Sequence, residues 1–212
     1  MRELWLARNT AVEMVEERGY SSTQKTLTYN DFMSKYPMAQ SNPSCLNFIV
    51  SKTAAKSPLA LDSTGNCTVS LAVHFTSEDK LSKKGLETLV NEYSSQNTTC
   101  VILITFNKLN PACKALLKTV KLNFQHFMIE ELQFNVTKHI LVPKHRIMAE
   151  KDENELLSRL KCSKSNLPTI LTTDVVARFY GAEVGQVMEI TRPSQTTGTA
   201  LYYRVVRQPS LK

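Results

Sequence analysis

The stretch CVILITF, residues 100–106, sets the class of fold. All of it but Thr105 is apolar, so the strand it forms must be buried on both faces, central in its sheet with a layer packed on either side. Working outward, TVSLAVHF (68–75) places Val69, Leu71, Val73 and Phe75 on one face and is expected to be a half-buried strand. Between the two, Leu86, Leu89, Val90 and Tyr93 mark a helix. After the central strand, Asn110-Pro111 opens another helix, with Asn110 as its cap and Pro111 in the first turn, where a missing N–H costs nothing. Its expected apolar side is Ala112, Ala115, Leu116 and Val120, and FQHFMI (124–129) is a further strand. Strands alternating with helices imply an α/β layer with parallel pairing.

Further from the centre, Leu4, Ala7, Ala11 and Val15 recur at helical spacing, and Gly19 suits the left-handed position after a helix ending near Arg18. A short helix is expected over 31–36, with Thr28 or Asn30 as cap and Pro37 as stop. LNFIV (46–50) is a short strand, and the Ser/Thr/Lys/Pro-rich stretch 51–66 is a loop.

After HILVPKH (139–145) the texture changes. A charged helix spans 148–160 with Leu156, Leu157 and Leu160 facing inward. Thr173 or Asp174 caps a short helix, VVARFY, that stops at Gly181. VMEIT and LYYRVV are strands joined by the turn RPSQTTG. Pro143 lacks a ladder donor and holds Val142 extended, which suits a joint between modules. The expected organisation is therefore α/β in two modules, residues 1–138 and 139–212, the second small enough to be of modest stability.

The chain has 212 residues, 42% of them hydrophobic, and a formal net charge of +7, which points to a polyanionic neighbour such as DNA or RNA. No segment reaches the roughly 18 apolar residues of a membrane span, and the opening MRELWLARNT does not have the form of a signal peptide. An intracellular, soluble protein with no membrane partner is expected. The 5 cysteines are widely spaced with no CxxC pair, as reduced thiols would be.

HILVPKH carries His139 and His145, six residues apart. In an extended segment they lie about 20 Å from each other and cannot share one metal ion. They are expected to be structural, with no metal and no cofactor. There is no GxSxG elbow, and GAEVG (181–185) lacks the Lys-Ser/Thr of a phosphate loop. One catalytic alternative has some shape: Asp62 with Glu78-Asp79-Lys80 beyond a strand could hold Mg²⁺ against a phosphate, as in a nuclease. No proline precedes Asp62, and such a pattern is usually a solvated loop.

HILVPKHRIM, ELLSRLKCSKSNLPTI and DVVARFYGAEVGQVMEITRPSQTTGTALYYRVV together resemble the fifth common subunit of eukaryotic nuclear RNA polymerases, whose C-terminal module is in archaeal polymerases a small subunit in its own right. The residues that carry the likeness are His139, Val142, Pro143 and His145, then Pro168, Arg178, Phe179, Tyr180 and Gly185, then Arg192 and Pro193. LWLARNT, ERGYSSTQ and VILITFNKLNPACKALL resemble the family's N-terminal jaw more loosely.

The resemblance implies a non-catalytic subunit with a nuclease-like jaw fold that lacks the active site. Its C-terminal module would dock on the largest polymerase subunit through the signature residues. Its jaw would lie near downstream DNA, with the loop of Lys108, Asn110, Pro111 and Lys114 facing phosphates without sequence preference. Other polymerase subunits and transcription regulators are the further partners implied, in the nucleus, or in the cytoplasm for a viral version.

Departures from the family's pattern are visible. Asp174 is followed by Val175 rather than proline, Lys151 stands ahead of Asp152, and GTALYYR replaces a Gly-Arg-Tyr pattern. They fit a specialised paralogue or a version from a divergent eukaryote or virus. The rival readings are a free-standing DNA-binding or nuclease-like protein, and a paralogue that binds regulators outside a polymerase.

Overall fold

A computed structural model describes the chain except residues 23, 55–66, 77–80, 97, 121 and 210–212 and the side chains at 53, 54, 67, 68 and 118. Asp62, Glu78, Asp79 and Lys80 of the nuclease pattern lie outside the described residues. The chain divides into two units, Met1–Phe134 and Asn135–Lys212. The division falls four residues before the expected boundary, because the 3-10 turn Val136–Lys138 packs against a helix of the second unit. The side chain of Asn135 caps that turn by accepting from the Thr137 N–H at 2.9 Å.

The first unit opens with α1 (Arg2–Glu17), which buries Leu4, Ala7, Ala11, Met14 and Val15 at helical spacing. Its chain turns away through Gly19 at φ 79°, a left-handed conformation that favours glycine. Helix α2 (Tyr29–Lys35) starts where the Thr28 hydroxyl accepts from the Asp31 N–H. Then follow β1 (Phe48–Ala54), β2 (Cys67–Phe75), α3 (Lys83–Ser95), β3 (Cys100–Thr105), α4 (Pro111–Thr119) and β4 (Asn123–Met128). The sheet order is β1-β2-β3-β4, with β1 antiparallel to β2 and the other pairs parallel. Residues Val101–Thr105 of β3 are all buried. On one face Leu103 packs with Leu81, Leu86, Leu109 and Cys113 under α3 and α4. On the face of Ile102, Arg18 at the end of α1 donates to Gln125 of β4 at 2.7 Å.

Three expectations are corrected here. Strand β2 is not half-buried: Leu71, Ala72, Val73 and Phe75 are all buried, because it is an interior strand with helices over the Ala72 face. Helix α4 turns Cys113, Leu116 and Leu117 inward, leaving Ala112 and Ala115 exposed. Asn110 occupies the N-cap position without making a side-chain cap hydrogen bond.

On the Ala72 face, His74 Nδ1 lies 3.0 Å from Asn47 Nδ2 and 2.8 Å from the Tyr93 hydroxyl. Asn47 Oδ1 accepts from the Phe75 N–H at 2.7 Å, so its amide nitrogen faces the imidazole and can only donate. His74 Nδ1 is therefore an acceptor, and Tyr93 donates to it as well. Burial pushes His74 down to about 4 and Tyr93 up to about 12.

The second unit contains β5 (Lys144–Ile147), α5 (Glu150–Leu160), β6 (Thr169–Leu171), α6 (Val175–Tyr180), β7 (Val187–Ser194) and β8 (Gly198–Arg207). Its order is β5-β7-β8-β6, antiparallel except for β6 with β8. Side chains alternate across the sheet. Val187 and Val205 pack under α5 with Met148, Leu156 and Leu167, while Met188 and Val206 pack under α6 with Ile170 and Ala177. Asp174 caps α6 through the Val176 N–H at 2.9 Å, and Gly181 ends it at φ 69°.

Two further corrections belong to this unit. Leu160 is exposed, and the inward place expected for it on α5 is taken by buried Glu153. Arg192, Pro193 and Ser194 belong to β7, so the hairpin loop is only Gln195–Thr197, closed by Gly198 at φ 72°.

Glu153 Oε1 accepts from the Val187 N–H at 2.8 Å, and its other oxygen pairs with Lys164, whose ammonium also reaches the Gly185 carbonyl. This one carboxylate ties α5, the start of β7 and the Lys164 turn together. Residues 135–212 alone are expected to unfold cooperatively in urea. Glu153→Leu should cost that fragment about 2 kcal/mol and Glu153→Gln less, since Gln keeps an acceptor for Val187. A fragment with no cooperative transition would count against its autonomy.

His74 generates a pH prediction. Its folded value lies below its unfolded one, so the unfolded chain binds more protons between about pH 6.5 and 4. The stability it contributes is complete above that window and falls as pH drops through it, by about 3 kcal/mol in all. Urea midpoints measured from pH 7 to 5 should fall less steeply for His74→Gln than for the parent chain.

Candidate functional site: the loop after β3 and the signature residues

The loop after β3 owes its shape to Thr105. The buried Thr105 hydroxyl donates to the Asn107 carbonyl at 2.6 Å and lies 2.7 Å from His126 Nε2 on β4. Its single proton is committed to Asn107, so the imidazole N–H is the donor in the second contact. Leu109 plugs into the cluster beneath α3 and α4, while Lys108, Asn110, Pro111 and Lys114 are exposed around the start of α4. The Lys114 N–H donates to the Asn110 carbonyl at 3.0 Å, which closes the first helical turn. The expected four residues are thus brought together on one surface. Sequence patterns alone do not single out Thr105 and His126, which hold the loop: Thr105 is the polar residue of an apolar strand, and His126 is one of several polar residues in β4.

Residues 139–145 do not form the extended joint expected from Pro143. The Val142 N–H donates to the His139 carbonyl at 2.9 Å, and the Leu141 N–H to His139 Nδ1 at 3.2 Å. The segment is a turn through 142 and becomes a strand only at Lys144. His145 Nδ1 lies 2.6 Å from the Pro143 carbonyl, which can only accept, so the proton sits on Nδ1. Burial holds His145 below the ordinary histidine value; Arg192 and Arg204 push the same way, and the Pro143 carbonyl and Asp174 oppose them. Both histidines are thus engaged with backbone. Among the described residues no three His, Cys, Asp or Glu side chains are grouped to hold a metal ion. No helix among them is long and apolar enough to cross a membrane.

The turn displays what it does not bury. Ile140 is 94% exposed and Leu141 81%, side by side. Sequence patterns do not single them out either, because apolar residues beside an apparent strand read as core.

The remaining signature residues sort by position. Pro168 offers its carbonyl to the Val205 N–H at 2.8 Å, and the Gly185 N–H donates to the Val206 carbonyl at 2.9 Å, so the two lock loops onto adjacent residues of β8. Gly185 is at φ 91°, where a side chain would be strained although space is open. Arg178 and Tyr180 lie on α6, with Tyr180 packed at the edge of the Ile170 cluster. Arg192 and Pro193 are exposed near the hairpin tip.

Comparison with known proteins bears on both units. Residues 1–93 match the family described as RNA polymerase Rpb5, N-terminal domain, and residues 134–206 match RNA polymerase Rpb5, C-terminal domain. The chain is 31% identical to the DNA-directed RNA polymerases I, II, and III subunit RPABC1 of Caenorhabditis briggsae, over 96% of this chain and 95% of that one. It is 32% identical to the subunit of the same name from Caenorhabditis elegans, with the same coverage. Over 65% of this chain it is 34% identical to the Dictyostelium discoideum subunit, 72% of which is covered. A likeness that runs through both units, at this identity and over this length, is that of a shared family, and the chain belongs to the Rpb5 family of RNA polymerase subunits.

Proposed function

We propose that this polymerase subunit is non-catalytic and works by docking: its C-terminal unit anchors on the largest subunit, and its N-terminal unit lies in the lower jaw beside downstream DNA, in the nucleus. The observation that carries the docking reading is the Ile140–Leu141 turn. Two adjacent large aliphatic side chains left in water, on a turn braced by His139, are what an obligate assembly surface presents before its partner covers it. Arg178, Tyr180, Arg192 and Pro193 contribute to the same unit's docking surface. His139, Val142, Pro143, His145, Pro168 and Gly185 serve it indirectly, by holding the turn and the loops that carry it. Transcription regulators would meet whatever surface the polymerase leaves open.

Tagged protein recovered from nuclear extract should bring down both large polymerase subunits in near-stoichiometric amounts, and the large subunit found names the polymerase class. Ile140→Ser with Leu141→Ser should reduce that recovery about ten-fold or more with an unchanged far-ultraviolet spectrum. Recovery of the chain alone, or with unrelated partners, would overturn the subunit's proposed anchoring.

For the jaw, Lys108 and Lys114 project from a loop whose backbone is held rigid by Thr105 and Leu109, which suits contact with phosphates rather than base edges. In polymerase assembled with the Lys108→Ser, Lys114→Ser variant, the slope of log K for downstream duplex against log salt should flatten by about 0.9 per lost contact. An unchanged slope would leave the two lysines as solvated residues of an ordinary helix start.

A further inference from the structure

The hairpin of the second unit carries an aromatic and basic surface beside the docking residues Arg192 and Pro193. His145, Ile190 and Tyr202 are paired across β5, β7 and β8 and so share one face, together with Arg192, Arg204 and Met188 at alternate positions. Met188 and Ile190 are buried, whereas Tyr202 is 49% exposed. The Arg192 guanidinium lies over the Tyr202 ring, 5.1 Å from its centroid, and Arg204 follows two residues along the same strand. Among the described residues neither arginine is ion-paired with a carboxylate; Arg204 makes only a 3.5 Å contact with the Thr169 carbonyl. Strand β6 pairs with β8 only from Val205 to Arg207, so it does not extend alongside Tyr202.

Charge points the same way. Residues 135–212 carry 12 Lys and Arg against 7 Asp and Glu, so this unit holds +5 of the chain's +7. Glu150, Asp152, Glu153 and Glu155, four of those acids, lie on α5, which packs on the opposite face of the sheet. The face of Tyr202 holds Arg192 and Arg204, with Asp174 the acid that acts on His145 there. Arg192 pairs with Ala200, and Arg204 is four residues further along that strand, about 13 Å away at the rise of a β-strand. Tyr202 stands midway. Two arginines at alternate backbone positions with a ring between them, one guanidinium lying over that ring, match a phosphate backbone whose bases are free to stack on the tyrosine or on the outer plane of Arg192. A duplex keeps its bases inside and offers only its phosphates. An acidic protein segment would use the arginines and leave the ring without a stacking partner.

We propose that the Arg192–Tyr202–Arg204 face of the C-terminal hairpin binds single-stranded nucleic acid by stacking and phosphate contact. The face shares Arg192 with the docking surface proposed above, so the binding is read on the chain by itself. The test is fluorescence anisotropy of the full-length chain with labelled oligo(dT) and oligo(U) of about twelve nucleotides, within the usual single-strand site range. Unlabelled single strand, a mixed-sequence duplex and poly-glutamate serve as competitors. Tyr202→Thr, which keeps strand propensity, should weaken binding about five-fold or more, while Tyr202→Phe should bind as the parent does. Arg192→Gln and Arg204→Gln should each flatten the salt slope by about 0.7. Parental affinity in Tyr202→Thr would overturn the proposal, as would duplex or poly-glutamate competing as well as the single strand. Recovery of the large polymerase subunits with Tyr202→Thr, measured alongside, tells a loss of anchoring through the neighbouring Arg192 apart from a loss of single-strand binding.

Discussion

The first unit is organised around the burial of β3. Val101–Thr105 have no exposed side, so each backbone N–H and C=O along them must find a partner within the protein. Parallel pairing with β2 on one edge and β4 on the other supplies those partners. Parallel neighbours require crossovers, and α3 and α4 are those crossovers, lying over the Leu103 face. The loop at the C-terminal end of β3 is therefore placed by the sheet itself. Thr105, His126 and Leu109 then fix its shape, leaving Lys108 and Lys114 outside on a braced backbone.

The second unit has much less core to work with. Its two apolar clusters are small and lie on opposite faces of a four-stranded sheet. Polar and backbone devices fill the gap: Glu153 satisfies the Val187 N–H and pairs with Lys164, Asp174 caps α6, and Gly181 and Gly185 turn the chain where a side chain would be strained. Several residues by which the family is recognised belong to this scaffolding. Pro168 and Gly185 close loops onto β8, and His139 and His145 brace backbone on either side of Pro143. Their chemistry is hydrogen bonding to the chain itself.

Beside those backbone-bound positions, the surface of the unit presents two kinds of feature. One is apolar, the Ile140–Leu141 turn; the other is basic and aromatic, the Arg192–Tyr202–Arg204 face. They differ in the partner they suit. Aliphatic side chains in water gain from being covered by another protein, whereas a ring set between guanidiniums gains from a stacked base and its phosphates.

The sequence by itself determined the α/β class, the central place of β3, the end of α1, the limits of α6, and the family. Each follows from local patterns that need no distant partner: an unbroken apolar run, helical spacing between a cap and a glycine, and a string of signature residues. It misjudged what depends on neighbours far along the chain. Strand β2 alternates like a half-buried strand, yet helices over the Ala72 face bury it on both sides. Glu153 reads as one more acid on a charged helix, yet Val187 and Lys164, 34 and 11 residues away, draw it inside. Pro143 promised an extended segment, and the His139 imidazole bent it into a turn that puts Ile140 and Leu141 in water. Tyr202 became notable only when the hairpin register set it beside Arg192. Propensity and periodicity act over a few residues; burial, ion pairing and cross-strand register are settled by whichever segments the fold brings together, and only the tertiary structure decides that.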